Sequence, residues 1–180
     1  MAVIGNVEDR HGIILAKNQK AKEKGVKTGM LLRDAEKLCP GIVFVEANHD
    51  RYAYWSMRAK ALYRQYSERV ESFGIDEAWV DVTGVKTANG GKDIADEIRE
   101  RVKDELGLTV SVGVSFNKVF AKLGSDMKKP DGTTVISREN YKSLVWGLPV
   151  GDLLFVGHST LDKLKRIGIE SVGDLARSKL

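Results

Sequence analysis

Residues 73–83 read Phe73-Gly74-Ile75-Asp76-Glu77-Ala78-Trp79-Val80-Asp81-Val82-Thr83, a strand-like run that holds two adjacent acids. The adjacent acid pairs at residues 8–9, 96–97 and 104–105 lie among polar residues, whereas Asp76 and Glu77 are flanked by apolar side chains. Burying ionised acids is costly unless a partner compensates. A divalent cation is such a partner, and oxygen ligands suit Mg²⁺. The run therefore predicts either a buried metal site or two structural acids satisfied by the protein itself.

Composition sets mild limits on the class of protein. The chain has 180 residues, is 42% hydrophobic and carries 29 Lys and Arg against 25 Asp and Glu, a net charge of +4. This size is that of one ordinary domain with room for a core, and the basic excess is compatible with a nucleic-acid partner. The single cysteine, Cys39, excludes an internal disulfide framework. With no apolar run of membrane-spanning length and no signal peptide in the sequence, we expect a cytoplasmic protein without a membrane partner.

Hydrophobic periodicity indicates an α+β fold. Strands are predicted at residues 2–5, 11–16 and 42–45, with helices at 17–25 and 31–39 between them. A long helix over 50–70, the acidic strand, a helix over 92–106, a strand over 108–115, a helix over 117–127 and a strand over 133–136 follow. The acidic segment is either one strand or a hairpin. Strands that alternate with helices predict a mixed sheet with helices on one face.

The tail differs from the rest of the chain. Residues 153–176 read as a helix, a tight glycine turn, a second helix and a capped short helix. A glycine turn before a helix exposes backbone N–H groups that accept a phosphate without reading bases. The alternatives are a helix-hairpin-helix nucleic-acid binder, which the Leu164-to-Ala176 pattern favours, and an ordinary helical hairpin.

Several stretches together resemble the Y-family of translesion, error-prone DNA polymerases. The run at 72–83 resembles the Ser-Ile-Asp-Glu-Ala catalytic segment of that family, and residues 111–132 resemble its palm signature. The tail is similar to the start of the family's thumb, and residues 10–29 are a weaker match to its fingers. The order of the segments is preserved over essentially the whole chain. The resemblance implies fingers at 1–47, a palm at 48–145 and the beginning of a helix-hairpin-helix thumb at 146–180.

The same resemblance implies a chemistry. Family members join a primer 3′-hydroxyl to the α-phosphate of an incoming nucleotide with two Mg²⁺ ions. By the match, Asp76 and Glu77 are the catalytic, metal-binding acids, and Lys129 contacts the triphosphate. In the fingers, Asn18 and Lys22 are the expected nucleotide contacts, with Gln19 and Lys22 standing where many members carry Tyr and Arg.

DNA contacts are expected on two segments. In the tail these are Gly157, Thr160 and Lys163, although Phe155 stands where the family's Gly-x-Gly turn begins. Lys118 and Lys122 share one helical face and either meet DNA or are plain surface charge. The implied partners are primer-template DNA and a deoxynucleoside triphosphate, with a sliding clamp as a further partner bound through segments outside this sequence.

One departure from the family bears on activity. The family palm opens with a strand that bears another metal-binding aspartate, and residues 1–10 contain no counterpart in register with it. We therefore expect a polymerase fragment, without the N-terminal strand and most of the thumb, that does not extend a primer by itself. An exposed gap between strands would also invite pairing with another chain.

Two alternatives come from other functional classes. The lysine-rich segments and the tail are compatible with a non-catalytic DNA-binding repair module, since phosphate binding requires no metal. A different palm-like enzyme, such as a nucleotide cyclase, also places acids on a mixed sheet. The hairpin tail argues against the cyclase.

Overall fold

The computed structural model describes residues 1–5 and 12–179, so the expected polar turn at 6–10 lies outside the described residues. The chain forms two compact units, Met1–Ala53 and Tyr54–Leu180. The division into fingers, palm and thumb that the resemblance implies has three parts, and it stays a prediction.

The first unit is a small sheet with two short helices. Its elements are β1 (Ala2–Ile4), β2 (Ile14–Lys17), α1 (Gln19–Glu23), α2 (Leu32–Leu38) and β3 (Phe44–Glu46). β1 is central, antiparallel to β2 and parallel to β3. The fully buried side chains are small or β-branched, which lets the short elements pack closely: Ala2, Ile4, Ile14, Ala21, Val26 and Ala35.

The helix α3 (His49–Tyr63) runs from the end of the first unit into the second. The second unit continues with β4 (Val70–Phe73), β5 (Glu77–Val80), α4 (Gly91–Leu106), β6 (Val112–Ser115), α5 (Lys118–Met127), β7 (Thr133–Ile136) and α6 (Tyr141–Val145). A 3₁₀ turn at Val150–Asp152 leads to α7 (His158–Arg166) and α8 (Val172–Arg177). The α+β class is confirmed, and the acidic segment is folded as a hairpin. The order of elements follows the prediction from β1 to β7, whereas α6 was not predicted and the first helix expected in the tail is replaced by the 3₁₀ turn.

Local sequence explains where two helices of the second unit, α4 and α5, begin and end. α4 buries Ile94, Ile98, Val102 and Leu106, which recur every four residues. Gly107 ends the helix at φ 64°, a left-handed conformation that glycine adopts without strain. Asn117 caps the start of α5, and its side chain accepts the N–H of Phe120 at 2.8 Å.

Two sequence predictions differ from the structure in extent. The long helix ends at Tyr63 rather than at residue 70, and Val70 instead pairs with Val80 in the hairpin. Ser67 Oγ accepts the N–H of Arg69, a local bond that competes with helix formation. The strand predicted over 108–115 is confined to Val112–Ser115, where β7 provides a partner.

The expected single sheet is three small sheets in the described residues, and helices lie on both faces of the β6–β7 pair. α4 packs on the face of the strand pair that carries the Thr133 side chain, and the Thr133 hydroxyl donates to Asp96 of α4 at 2.6 Å. α5 lies on the opposite face, where a Cβ added to Gly113 would sit 1.9 Å from the carbonyl oxygen of Ala121. Glycine at this position is what allows the helix to pack directly on the strand.

Two apolar clusters stabilise the second unit. One joins α3 and α4, and the other joins α5, β7, α6 and α8 through Leu123, Ile136, Val145 and Val172. In the described part of the chain, no helix has the length and apolarity that crossing a bilayer requires.

Candidate active site

A hairpin turn presents the two acids. Gly74, Ile75 and Asp76 connect β4 to β5, and Gly74 adopts φ 76°, a conformation that favours glycine. Asp76 is exposed at the turn, and Glu77 is half-buried as the first residue of β5. Of the two predicted alternatives for this segment, the structure shows the hairpin. Asp76 is exposed rather than buried, because residues 74–76 of the apolar run form the turn, which also leaves Ile75 48% exposed.

A lysine from the preceding helix anchors this turn. Lys60 Nζ donates to the carbonyl oxygen of Gly74 at 2.6 Å and to Ser72 Oγ at 2.7 Å. The Phe73 and Trp79 rings pack across the two strands with centroids 4.8 Å apart. The backbone that carries Asp76 is therefore held from both strands and from α3.

Alternating charges continue from Glu77 along α5. Lys122 Nζ lies 3.0 Å from Glu77 Oε1 and 2.6 Å from Asp126 Oδ2, and Lys129 Nζ lies 2.7 Å from Asp126 Oδ1. We call Glu77, Lys122, Asp126 and Lys129 the charge chain. Because Asp126 is shared by two ammonium groups, the side chains of Lys122, Asp126 and Lys129 are fixed relative to one another.

The pKa shifts follow from this arrangement. Burial by itself lowers the pKa of Lys122, but hydrogen bonds to Asp126 and Glu77 outweigh burial and raise that pKa above its usual value. Burial by itself raises the pKa of Asp126, but hydrogen bonds from Lys122 and Lys129 outweigh it, and the net shift of that pKa is downward. Lys122 and Asp126 are therefore both charged at neutral pH.

The acids and the lysines of the charge chain border one cleft of about 460 Å³. Its walls are all four residues of β5 and all four of β6, and α4 contributes Ile94, Ala95 and Ile98. Asp76, Lys122 and Lys129 lie along it as well. The cleft thus combines an apolar interior with carboxylates and ammonium groups, a composition typical of ligand sites.

A partly buried ion pair fixes the loop that follows Lys129. Arg99 Nη2 donates to Asp131 Oδ1 at 3.0 Å and to the Asp131 carbonyl oxygen at 2.6 Å, and both side chains are about four-fifths buried. Lys103 pairs with the other oxygen of the same carboxylate at 3.0 Å. Hydrogen bonds from Lys103 and Arg99 lower the pKa of Asp131. The loop that carries Lys129 is therefore tied to α4.

The remaining predicted contacts are placed as follows. Lys118 pairs with Glu71 and lies 5.5 Å from the centroid of the Trp79 ring, so it belongs to the hairpin surface. Lys122 has only 18% of its side chain exposed and is directed at the acids. The positions Gly157, Thr160 and Lys163 are exposed at three-residue intervals from the cap of α7 onward. DNA binding by these residues stays a prediction.

In the first unit, Asn18 is a capping residue. Its side-chain oxygen accepts the Ala21 N–H at 3.1 Å and the terminal ammonium of Met1 at 3.3 Å. Lys22 is exposed on α1. Nucleotide binding by Asn18 and Lys22 stays a prediction.

Asp76 and Glu77 could supply some, but not all, of the ligands of a metal ion. Over residues 1–5 and 12–179, no three His, Cys, Asp or Glu side chains converge as a cation site. Mg²⁺, however, is commonly held by one or two carboxylates together with substrate phosphates and water. The adjacent Asp76 and Glu77 supply two carboxylates, and Asp76 takes part in none of the ion pairs of the charge chain.

Sequence reasoning gave no role to Lys60, Arg99 or Asp126. Asp126 had a signal, because it stands four residues after Lys122 and three before Lys129, spacings that bring side chains together on a helix. Lys60 and Arg99 had none, because their partners are 14 and 32 residues away.

The fold matches that of solved polymerase structures. DinB from Sulfolobus solfataricus aligns with a TM-score of 0.88 at 27% identity, over 99% of this chain and 52% of that one. An insertion ternary complex of Dbh DNA polymerase aligns with a TM-score of 0.88 at 26% identity, over 98% of this chain and 53% of that one. The class of fold is therefore that of the Y-family polymerases.

Residues 1–126 match the model of the impB/mucB/samB family, and the chain belongs to that family. It is 56% identical to a DNA polymerase IV of Acetivibrio thermocellus and 39% identical to DNA polymerase IV 1 of Bacillus subtilis, in each case over 98% of this chain. It spans 44% and 42% of the length of those two relatives. The resemblance stated from the sequence motifs is confirmed.

Proposed function

We propose that this chain carries the nucleotidyl-transfer site of a translesion DNA polymerase, with a deoxynucleoside triphosphate and primer-template DNA as substrates. One observation carries the proposal: Asp76 and Glu77 at the hairpin border the same cleft as Lys129, and the charge chain links Glu77 to Lys129. Acids for a cation and a lysine for phosphates are the two groups that phosphoryl transfer requires. The polymerase names of the relatives support the same reading.

Each residue then has a distinct task. Asp76 and Glu77 would hold Mg²⁺, which supplies charge stabilisation and activation of the primer hydroxyl when bound. Lys129, exposed at the cleft and restrained by Asp126, binds the triphosphate and favours departure of pyrophosphate electrostatically. Lys122 neutralises Glu77 in the absence of the cation. Asp131 and Arg99 keep the Lys129 loop in place.

Other parts of the proposal rest on the resemblance. Lys22 and Asn18 would contact the nucleotide, and Gly157, Thr160 and Lys163 would contact DNA phosphates. Clamp binding and a cytoplasmic location belong to the proposal for the whole protein, and the single free cysteine, Cys39, is compatible with a reducing compartment.

The proposal is tested first by nucleotide binding to this chain. A fluorescent deoxynucleoside triphosphate should bind in the presence of Mg²⁺, and Lys129→Met should weaken binding by about tenfold, since one charge-assisted contact is lost. Lys86→Met, at an exposed loop lysine, is the matched control and should leave affinity unchanged. Equal affinities of the two variants would contradict the role of Lys129.

Catalysis is tested in a longer protein that contains these residues and has the full length of the DNA polymerase IV relatives. Asp76→Ala should reduce primer extension by more than about a thousandfold while DNA affinity stays within about twofold, because the acid acts on the reacting phosphate and not on the duplex. Asp104→Ala, on the exposed side of α4, is the matched acid control. Salt-dependent DNA binding without any nucleotide or Mg²⁺ effect would favour the non-catalytic DNA-binding module instead.

A further inference from the structure

The charge chain is electrically balanced only while Glu77 belongs to it. Its side chains alternate in sign, so that Lys122 lies between two carboxylates and Asp126 lies between two ammonium groups. Among the residues that the structure describes, Asp126 is the one carboxylate that pairs with Lys129. If another cation takes Glu77, one carboxylate remains for two ammonium groups, and one positive charge is in excess.

Burial decides which ammonium group keeps Asp126. The Lys122 side chain is 18% exposed, whereas the Lys129 side chain is 56% exposed. A charged group that is mostly withdrawn from water is costly without a partner, but water solvates an exposed ammonium group when its partner leaves. Lys122 therefore keeps the carboxylate, and Lys129 is the group that leaves.

The geometry of α5 allows this exchange without a large movement. Lys122 and Asp126 are one turn apart on the helix, and Lys122 Nζ is already 2.6 Å from Asp126 Oδ2. Lys129 follows the end of the helix and contacts the other oxygen, Oδ1, at 2.7 Å. Loss of Glu77 thus requires no new partner for Lys122. Lys129 borders the cleft, so its ammonium group can turn from Asp126 to a ligand there.

We propose that Asp126 is a positioning residue that couples cation binding at Glu77 to phosphate capture by Lys129. While Glu77 pairs with Lys122, Asp126 is shared and holds Lys129. When Glu77 turns to a bound cation, Asp126 is left to Lys122, and Lys129 is released to the triphosphate. This coupling rests on the proposed function, since it needs Glu77 as a metal ligand and Lys129 as a phosphate contact.

The same coupling works in reverse, because linkage between two binding sites is reciprocal. A phosphate that takes Lys129 leaves Asp126 to Lys122 alone. The attraction between Lys122 and Asp126 then increases, and the hold of Lys122 on Glu77 weakens. Occupation of either site therefore prepares the other one.

The exchange is tested first without any metal. Glu77→Gln in EDTA removes from the charge chain the same negative charge that a bound cation would neutralise. The readout is acetylation of Lys129 by limiting N-hydroxysuccinimidyl acetate, followed by mass spectrometry. Lys129 should react about two- to fivefold faster in Glu77→Gln than in the parent chain, the range expected for release from a partly exposed ion pair.

Three variants separate the exchange from a general charge effect. Glu71→Gln is the matched control, because Glu71 pairs with Lys118 on the same hairpin, and it should accelerate acetylation of Lys118 but not of Lys129. In Asp126→Asn, Lys129 should react fast with or without Glu77→Gln, because the shared carboxylate is gone. Asp126→Glu keeps a carboxylate and should restore the response of Lys129 to Glu77→Gln.

The cation and the nucleotide are tested separately. Excess Mg²⁺ without nucleotide should accelerate acetylation of Lys129 in the parent chain by a similar factor. In EDTA, a fluorescent deoxynucleoside triphosphate should bind Glu77→Gln about two- to fivefold more tightly than the parent chain. Adding Lys129→Met to Glu77→Gln should abolish this gain.

The outcomes distinguish the coupling from the proposed function. Unchanged acetylation of Lys129 in Glu77→Gln would overturn the role of Asp126, and so would an equal acceleration by Glu77→Gln in the Asp126→Asn background. Acceleration by Glu77→Gln together with no effect of excess Mg²⁺ would instead overturn metal binding by Glu77, and the coupling to a cation with it.

Discussion

Lys122 Nζ lies 3.0 Å from Oε1 of Glu77, so an acid that we propose for metal binding is held by an internal cation. The ammonium neutralises Glu77 in the position where a divalent ion would otherwise do so. Asp126, on the other side of Lys122, gives the ammonium an alternative partner at 2.6 Å. Glu77 can therefore be released without leaving the lysine unpaired.

Removal of the Lys122 charge should strengthen cation binding. We expect Lys122→Met to bind Mn²⁺ about three- to tenfold more tightly, because the competing ammonium is gone. Electron paramagnetic resonance of free Mn²⁺ measures this directly. Lys118→Met is the control, since Lys118 pairs with Glu71 rather than with Glu77. Unchanged or weaker Mn²⁺ binding by Lys122→Met would contradict the competition.

Asp126 should stabilise the fold in a pH-dependent manner. Its folded-state pKa is below the unfolded value, so its contribution is fully present above about pH 4 and is lost as the pH falls through the folded pKa. Asp126→Asn should lower the free energy of unfolding by about 1 kcal/mol at pH 7, since its ion pairs are partly exposed. Urea unfolding at a series of pH values should show the two proteins converging in acid. A difference that is constant down to pH 2 would exclude this linkage.

The two cations on Asp131 should differ in their effect on stability. Arg99→Met should cost about 2–3 kcal/mol, because the Arg99 and Asp131 side chains are mostly buried and Asp131 loses the guanidinium donors to its Oδ1 and to its carbonyl oxygen. Lys103→Met should cost less than about 1 kcal/mol, because the Lys103 side chain is 59% exposed. Thermal unfolding of both variants gives the comparison. Equal losses would show that Arg99 acts only as a surface charge.

Phe155 should be replaceable by glycine with a gain in stability. It adopts φ 69°, a left-handed conformation that costs a non-glycine residue about 1–2 kcal/mol, and it is 81% exposed. Phe155→Gly should raise the free energy of unfolding by up to about 1 kcal/mol, because glycine removes the strain but adds entropy to the unfolded chain.

Phe155→Ala is the control for that gain, since alanine keeps the Cβ and the strain. It should not be more stable than the parent chain. A stability loss in both variants would mean that the edge contact between the Phe155 and Phe73 rings, with centroids 6.2 Å apart, outweighs the strain.

The sequence by itself determined the class, the family and the order of elements from β1 to β7. Local signals were sufficient for these, since Asn117 and Gly107 mark the start of α5 and the end of α4, and the four-residue recurrence of Ile94, Ile98 and Val102 marks the buried face of α4. The acid pair itself was also found from local composition.

Tertiary structure decided how those acids are used. Whether Asp76 lies in a strand or in a turn depended on the pairing of Val70 with Val80, which also ended the preceding helix early. Lys60 anchors the turn, and Arg99 anchors the loop that follows Lys129. Both contacts join residues far apart in the chain, and hydrophobic periodicity carries no information about such contacts. The pairing of β5 with β4 and of β6 with β7 was likewise decided by the tertiary structure, because main-chain hydrogen bonding does not depend on side-chain identity.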